Sequence, residues 1–286
     1  MIPCLKERIE MPLLPVSELE KLSPVFRGKA GNVFAASIRK LLSISKLSDL
    51  YDEINTLSGP EFARGMLERL EIEYQVTGAE KLADLPDGPF ITVSNHPYGG
   101  IDGIILVDLI GHMRDGFKVM VNEFLNLIEP LRPNWIAVNP KNNDSTGVSG
   151  KNIRGVKEVL STLRAGNPVG FFPSGAVSDL KLKTMTIRDR KWQESLIRLI
   201  QKAEVPIVPI RFYDRNSLFF YLLGLINWKV RLLRLPHELV NKGGEVIRVG
   251  IGDIIPVEEQ RLYPGINDFC EWLRNQVDEM PFPDKL

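Results

Sequence analysis

The sequence predicts an α/β fold: a mixed, largely parallel sheet flanked by helices, with an N-terminal helical extension. Three observations carry that prediction. Strand-like and helix-like segments alternate from residue 71 onward, the apolar period switches from helical to two at Glu71, and no internal repeat or low-complexity segment interrupts the pattern. A chain of 286 residues, 44% hydrophobic and 25% charged, is long enough to bury one large α/β core and carry a helical leader.

The leader, residues 1–70, reads as helical. Ser17 and Glu20 have capping-box spacing, Leu47, Leu50, Tyr51 and Ile54 follow i, i+3, i+4, i+7, and Pro60 stands where a first helical turn tolerates it, ahead of Phe62, Met66, Leu67 and Leu70. Residues 71–286 form the α/β unit. Ile72, Tyr74 and Val76 alternate with Glu73 and Gln75, as a half-buried strand does. Strands are then expected at Phe90 to Ser94, Phe117 to Val121, Trp135 to Val138, Pro168 to Phe172, Val205 to Phe212 and Val246 to Gly252. Helices are expected near Asp102 to His112, Ile153 to Ala165, Trp192 to Ala203 and Ile266 to Val277, with a polar loop over Asn139 to Gly150. In such sheets ligands bind at strand ends.

Composition excludes several function classes. Net charge is zero, so no bulk field attracts nucleic acid, and any attraction to an anionic lipid or cofactor must come from local clusters. Cys4 and Cys270 have neither metal-ligand nor disulfide-framework spacing, which fits a reducing compartment. His112 and His237 lack metal-ligand spacing, so no metal site is expected. Lys6, Glu7, Arg8 and Glu10 break any secretory apolar run, so no signal peptide is expected. The longest apolar stretch, Leu218 to Trp228, is shorter than the roughly 18 residues that a membrane span requires.

The strongest chemical signal is Asn95-His96-Pro97-Tyr98-Gly99-Gly100-Ile101-Asp102, directly after the apolar run Phe90 to Val93. Neutral imidazole takes a proton near pH 7, and a carboxylate on its other nitrogen fixes the tautomer and favours the imidazolium. Gly99 and Gly100 permit a tight turn that folds Asp102 back toward His96 at the opening of a helix. That is the base and orienter of a triad without a protein nucleophile, which is unnecessary if a substrate hydroxyl or amine attacks directly. Taken alone, the segment equally suits a histidine satisfied by turn backbone beside a helix-starting aspartate.

Two further blocks decide between those readings. Gly170-Phe171-Phe172-Pro173-Ser174-Gly175-Ala176-Val177-Ser178 ends a strand in a small-residue turn, and Val205-Pro206-Ile207-Val208-Pro209-Ile210-Arg211 is a buried, proline-punctuated strand with a charge at its end. With the Asn-His-Pro block, their order and spacing resemble the glycerolipid and lysophospholipid acyltransferase family over roughly Ile72 to Pro256. In that family the first block is His-x4-Asp and the third is Phe-Pro-Glu-Gly-Thr-Arg. Here five residues separate His96 from Asp102, Ser174 stands for the glutamate, and Ala176-Val177 replace the threonine and arginine. These departures, with Asp189-Arg190-Lys191-Trp192 and Arg215-Asn216-Ser217-x-x-Phe220, look like the bacterial branch that has carried the name haemolysin and includes ornithine- and glycine-lipid acyltransferases.

The resemblance implies a peripheral enzyme on the cytoplasmic membrane surface, moving a fatty acyl group from a thioester to a hydroxyl or amine of a lyso-lipid or amino-acid lipid precursor. The thioester of acyl carrier protein or coenzyme A is then a donor substrate, and no bound cofactor is expected. His96 is the implied general base and Asp102 its partner. Asn95, Gly99, Gly100, Pro173, Ser174, Gly175, Arg211 and Arg215 are the implied substrate contacts, with backbone N–H groups near Gly99, Gly100 or Gly175 available to an oxyanion. A phosphate-bearing acceptor, lysophosphatidate for example, is expected to meet fixed positive charge. The usual block-three arginine is absent, which favours an amino-acid lipid acceptor unless Arg211, Arg215, Lys141 or Arg154 takes its place. A nonenzymatic lipid-binding protein is the competing class, and it gives His96 and Asp102 no reason to sit together.

Two clusters stay open. Lys181, Lys183, Arg188, Arg190, Lys191, Arg198 and Lys202 form either a landing surface for acyl carrier protein, coenzyme A phosphates or anionic lipid, or a solvated helix face with a basic loop. Leu218 to Trp228, followed by Lys229, Arg231 and Arg234, is either an interfacial element or a buried core helix. Gly147 to Asn152 is no phosphate loop, because its first glycine is misplaced and Asn152 stands for the required Ser or Thr. Ser174 lacks the Gly-x-Ser-x-Gly frame of a hydrolase nucleophile.

Overall fold

The structure, a computed structural model, describes residues 43–138 and 150–282. Ser17, Glu20, Cys4, Lys141 and most of the polar loop before Gly150 lie outside the described residues. In chain order the strands are β1 (Glu73–Thr77), β2 (Ile91–Ser94), β3 (Lys118–Asn122), β4 (Trp135–Val138), β5 (Val169–Phe171), β6 (Asp179–Lys181), β7 (Thr186–Arg188), β8 (Ile207–Phe212) and β9 (Val246–Ile251). The helices are α1 (Ile44–Ile54), α2 (Gly59–Arg69), α3 (Ile101–Gly111), α4 (Gly150–Arg164), α5 (Glu194–Ala203), α6 (Leu218–Ile226), α7 (Trp228–Leu233), α8 (Leu235–Val240), α9 (Val257–Gln260) and α10 (Ile266–Asp278).

A seven-stranded sheet has the order β1-β9-β8-β2-β5-β3-β4. Its pairings are parallel except β8 with β9. The mixed, largely parallel sheet expected from the sequence is therefore present, with helices on both faces. One face packs Phe90, Val119, Val208, Ile210 and Ile247 against α1, α2 and α3. The other packs Ile91, Val93, Val169, Phe171 and Ile207 against α4, α5 and α10. Period-two alternation assigns each strand residue to one of these faces.

α3 is apolar on nearly every side because it is covered on nearly every side: Ile101 through Asp108 are all buried. Its one mid-helix carboxylate, Asp108, is satisfied by the Tyr74 hydroxyl at 2.6 Å and by Arg64 at 3.1 Å. α5 starts at Glu194, two residues later than the sequence suggests, because Trp192 is buried and hydrogen-bonded to Asp189. The short β6–β7 hairpin was not expected from the sequence. It is too brief for a period to show.

The helical leader is no appendage where it is described. Leu47, Leu50 and Ile54 of α1 and Phe62, Met66 and Leu67 of α2 belong to the same apolar cluster as the sheet. Phe62→Ala is therefore expected to cost about 3–5 kcal/mol. Urea unfolding followed by tryptophan fluorescence and by far-UV circular dichroism should move as one transition; separate transitions would mean that the leader folds independently.

Candidate active site

His96 and Asp102 meet where β2 ends and α3 begins. Nδ1 of His96 stands 2.8 Å from Oδ2 of Asp102, and the Asp102 side chain is 0% exposed. The contact is short but bent: the Nδ1–H direction lies off the line to the carboxylate. Asp102 is held independently of His96, since Oδ2 accepts from the N–H groups of Tyr98 (3.1 Å) and Gly99 (3.2 Å), and Oδ1 from that of Gly103 (3.1 Å). Burying a carboxylate costs several kcal/mol, and hydrogen bonds to a charged group return roughly 1.5–3 kcal/mol each, so these donors are what keep it there.

The extra residue between His96 and Asp102 is absorbed in this turn. Gly99 has φ +80°, and a Cβ there would run into Val177 of the Phe-Pro-Ser-Gly segment. Glycine is required on both grounds.

The imidazole lies flat on Phe172, with ring centroids 4.2 Å apart. Strand alternation explains the pairing: Phe90, Thr92, Ser94 and His96 project toward the α3 face, as Phe172 does just past β5. Nδ1 is buried on the Asp102 side, and 17% of the side chain is exposed. Burial lowers the histidine's affinity for a proton, but the Asp102 carboxylate, its hydrogen bond and the more distant Asp189 outweigh that, and the His96 pKa is raised.

Asp189 clamps the same loop from behind. It is buried and accepts from the His96 N–H (3.1 Å), the Ser178 hydroxyl (2.5 Å) and the Trp192 indole (3.3 Å). Burial pushes its carboxyl pKa up, against the pull of those donors. The Asp189 and Trp192 of the Asp-Arg-Lys-Trp segment thus form the rear wall of the histidine loop, a role that their spacing alone did not disclose.

The expected substrate contacts divide into two groups. Gly99, Gly100, Pro173, Ser174 and Gly175 lie in the two turns, after β2 and after β5, that carry His96 and Phe172. The Ser174 hydroxyl donates to the Ala176 carbonyl at 2.7 Å, which closes its own turn. Gly175 has φ +61° and donates its N–H to the Phe172 carbonyl at 2.9 Å. The Gly99 N–H is taken by Asp102, whereas that of Gly100 has no acceptor among the described residues.

Asn95, Arg211 and Arg215 are placed differently. The Asn95 amide pairs with both backbone groups of Phe212, at 2.8 Å each, and locks β2 to the end of β8. Val208, Ile210 and Phe212 face α3, so Arg211 projects from the opposite face, where Nη1 donates to the carbonyls of Asp278 (2.5 Å) and Met280 (2.6 Å). Arg215 is exposed beside a pocket of about 130 Å³ whose walls include Asn95, Pro97, Arg188 and Arg211. A larger hollow of about 580 Å³, bounded by Tyr213, Arg215, Arg248 and Phe282, does not include His96 either. Arg154 is exposed on α4. His112 is engaged by Asp108 and Glu61 at the far end of α3.

Comparison with known proteins completes the picture. A family model described as acyltransferase matches residues 22–280. The chain belongs to this acyltransferase family. It is 28% identical over 226 residues to a lyso-glycine lipid O-acyltransferase of Bacteroides thetaiotaomicron, covering 77% of this chain and 79% of that protein. It is 26% identical over 249 residues to the protein of the same description in Phocaeicola vulgatus, covering 82% and 85%. Among solved structures it is similar to the 1-acyl-sn-glycerophosphate acyltransferase PlsC of Thermotoga maritima, with a TM-score of 0.49, 15% identity and 86% of each chain covered.

Histidine NMR tests the coupling directly, because the chain has only three histidines. The His96 resonance should titrate above the ordinary value of about 6.5, and Asp102→Asn should move its midpoint down. The sign of the linked stability follows. A pKa raised on folding contributes stability that is full below about pH 6.5 and is lost as pH rises through the folded value. A wild-type midpoint at or below the ordinary value would show that burial prevails over the carboxylates.

Proposed function

We propose that this acyltransferase transfers a fatty acyl group from an acyl thioester to the hydroxyl of a lyso-amino-acid lipid of the lyso-glycine type. The observation that carries the reading is the His96–Asp102 pair, its carboxylate held on three backbone N–H groups and its imidazole side chain partly exposed. Asp102 on Nδ1 keeps the proton there, so Nε2 is the basic nitrogen. The acceptor hydroxyl donates to Nε2 and its oxygen attacks the thioester carbonyl. The tetrahedral intermediate collapses with loss of the thiolate, and the imidazolium returns the proton to sulfur. Asp102 stabilises the imidazolium between those two transfers. The free Gly100 N–H at the start of α3 is the candidate donor to the oxyanion.

No acyl-enzyme is required. The Ser174 hydroxyl is committed within its own turn, so the attacking oxygen belongs to the acceptor. The donor is the thioester of acyl carrier protein or coenzyme A, and the protein acts at a lipid surface on the cytoplasmic side. Among the described residues no helix is long and apolar enough to cross a membrane.

The choice of acceptor rests on block three. Where the wider family carries threonine and arginine, Val177 is buried and packs beside Gly99, so no guanidinium stands there to bind a phosphate. The identity to two lyso-glycine lipid O-acyltransferases supports the same choice. A phosphate-bearing acceptor is the second reading. It is favoured by Arg188 and Arg215, which line one pocket and have no ion pair among the described residues.

Purified protein given both thioester donors and an acceptor panel tests this reading. His96→Ala should lower kcat by about 10²–10⁴-fold with an unchanged circular dichroism spectrum. Asp102→Asn should act in the same direction. Lyso-glycine lipid should be used in preference to lysophosphatidate; the reverse order would transfer the assignment to the phosphate-bearing acceptor.

A further inference from the structure

We propose that α6, α7 and the tip of the β6–β7 hairpin form one docking surface for an anionic lipid bilayer, fastened to the His96 loop. The composition of α6 suits a core helix, yet only Phe220 and Tyr221 of its residues are buried. Phe219 is 53% exposed and Ile226 83%, while across the hairpin tip Leu182 is 60% exposed and Met185 68%. Large apolar side chains held in water at this density mark an interaction surface. The two elements are neighbours, because Leu180 of β6 and Ile187 of β7 share a small apolar cluster with Phe220 and Tyr221.

Charge selects the occupant. No acidic residue occurs from Arg215 to His237, nor from Leu180 to Arg188. Arg190 and Arg231 are paired with Asp179, and Arg234 with Glu238, whereas Lys181, Lys183, Arg188 and Arg215 have no ion pair among the described residues, so the surface carries an excess of cationic charge. Arg234 lies over the Phe219 ring at 4.7 Å and is paired with buried Glu238 at 2.9 Å, so it holds α6 to α8 and is not one of the unpaired cations. An apolar face rimmed by uncompensated cations complements anionic headgroups over acyl chains. The other basic residues after block three are spent elsewhere: Arg190 pairs with Asp179, and Arg198 with Glu194.

The surface is joined to the catalytic turn by buried polar contacts. The Tyr221 hydroxyl donates to the Pro97 carbonyl at 2.8 Å, Asn216 Nδ2 to the Tyr98 carbonyl at 2.9 Å, and the Ser178 N–H to the His96 carbonyl at 2.9 Å. Ser217, at the N-terminus of α6, donates its N–H and hydroxyl to buried Glu238, at 2.9 and 2.7 Å. Docking therefore sets the position of His96 relative to the lipid plane. That consequence rests on the acyl-transfer reading, whereas docking itself does not.

Flotation of the full chain with phosphatidylglycerol vesicles, and with phosphatidylcholine vesicles as control, is the test. The wild-type chain should bind the anionic vesicles and lose them at high salt. Phe219→Glu/Ile226→Glu and, separately, Leu182→Glu/Met185→Glu should each weaken binding about ten-fold or more, with unchanged circular dichroism and Tm. His96→Ala should bind as the wild type does, so a failure of the catalytic assignment leaves this result standing. No vesicle binding by the wild type would overturn the proposal. So would full binding by both double variants, or a dimer that both variants dissolve without any change in vesicle affinity.

Discussion

A buried carboxylate at the start of α3 is the constraint on which the rest of the site depends. Asp102 has no solvent contact, yet it collects three backbone N–H groups and the imidazole of His96. The Tyr98 and Gly99 donors come from the turn that joins β2 to α3 and the Gly103 donor from the first turn of α3, so the carboxylate that holds His96 also determines how the chain passes from sheet to helix. Gly99 makes the turn possible by accepting a left-handed conformation with Val177 against it. The geometry of the His96–Asp102 pair and the local fold are one structure here.

A second carboxylate completes it from the other side. Asp189 holds the His96 backbone, and through Ser178 and Trp192 it joins the end of block three to the start of α5. The histidine loop is thus gripped between two buried acids, one on the side chain and one on the main chain. Both also favour the protonated imidazole, the species that forms when the base takes its proton. The β6–β7 hairpin and α6, which share an apolar cluster, both expose large apolar side chains. Buried hydrogen bonds from Tyr221, Asn216 and Ser178 join those elements to the His96 loop.

Features encoded in contiguous residues were legible in the sequence. The alternation of strand and helix, the period change at Glu71, and the His96–Asp102 pair in a glycine turn all read directly, because each depends on neighbours along the chain. Features that depend on which face a residue takes, or on which strands become neighbours, were not. Arg211 ends the right strand, but alternation sends it to the face opposite His96, where the last turn of α10 occupies it. Asn95 reads as a site residue from its position, and its amide proves to be the clasp between β2 and β8. Within residues 218–228 the sequence did not disclose which side chains are covered: Phe220 is buried and Phe219 exposed. Phe172 under the imidazole was invisible for the same reason, since β2 and β5 are distant in sequence and adjacent only in the sheet.

The central claim is that His96 activates the acceptor itself, with no acyl group passing through the protein. Intact-protein mass spectrometry after incubation with an acyl thioester in the absence of acceptor tests it most directly. The account predicts an unmodified mass and no burst of thiol release. A stoichiometric acyl adduct that is discharged on adding acceptor, whether on Ser174 or on any other side chain, would contradict it.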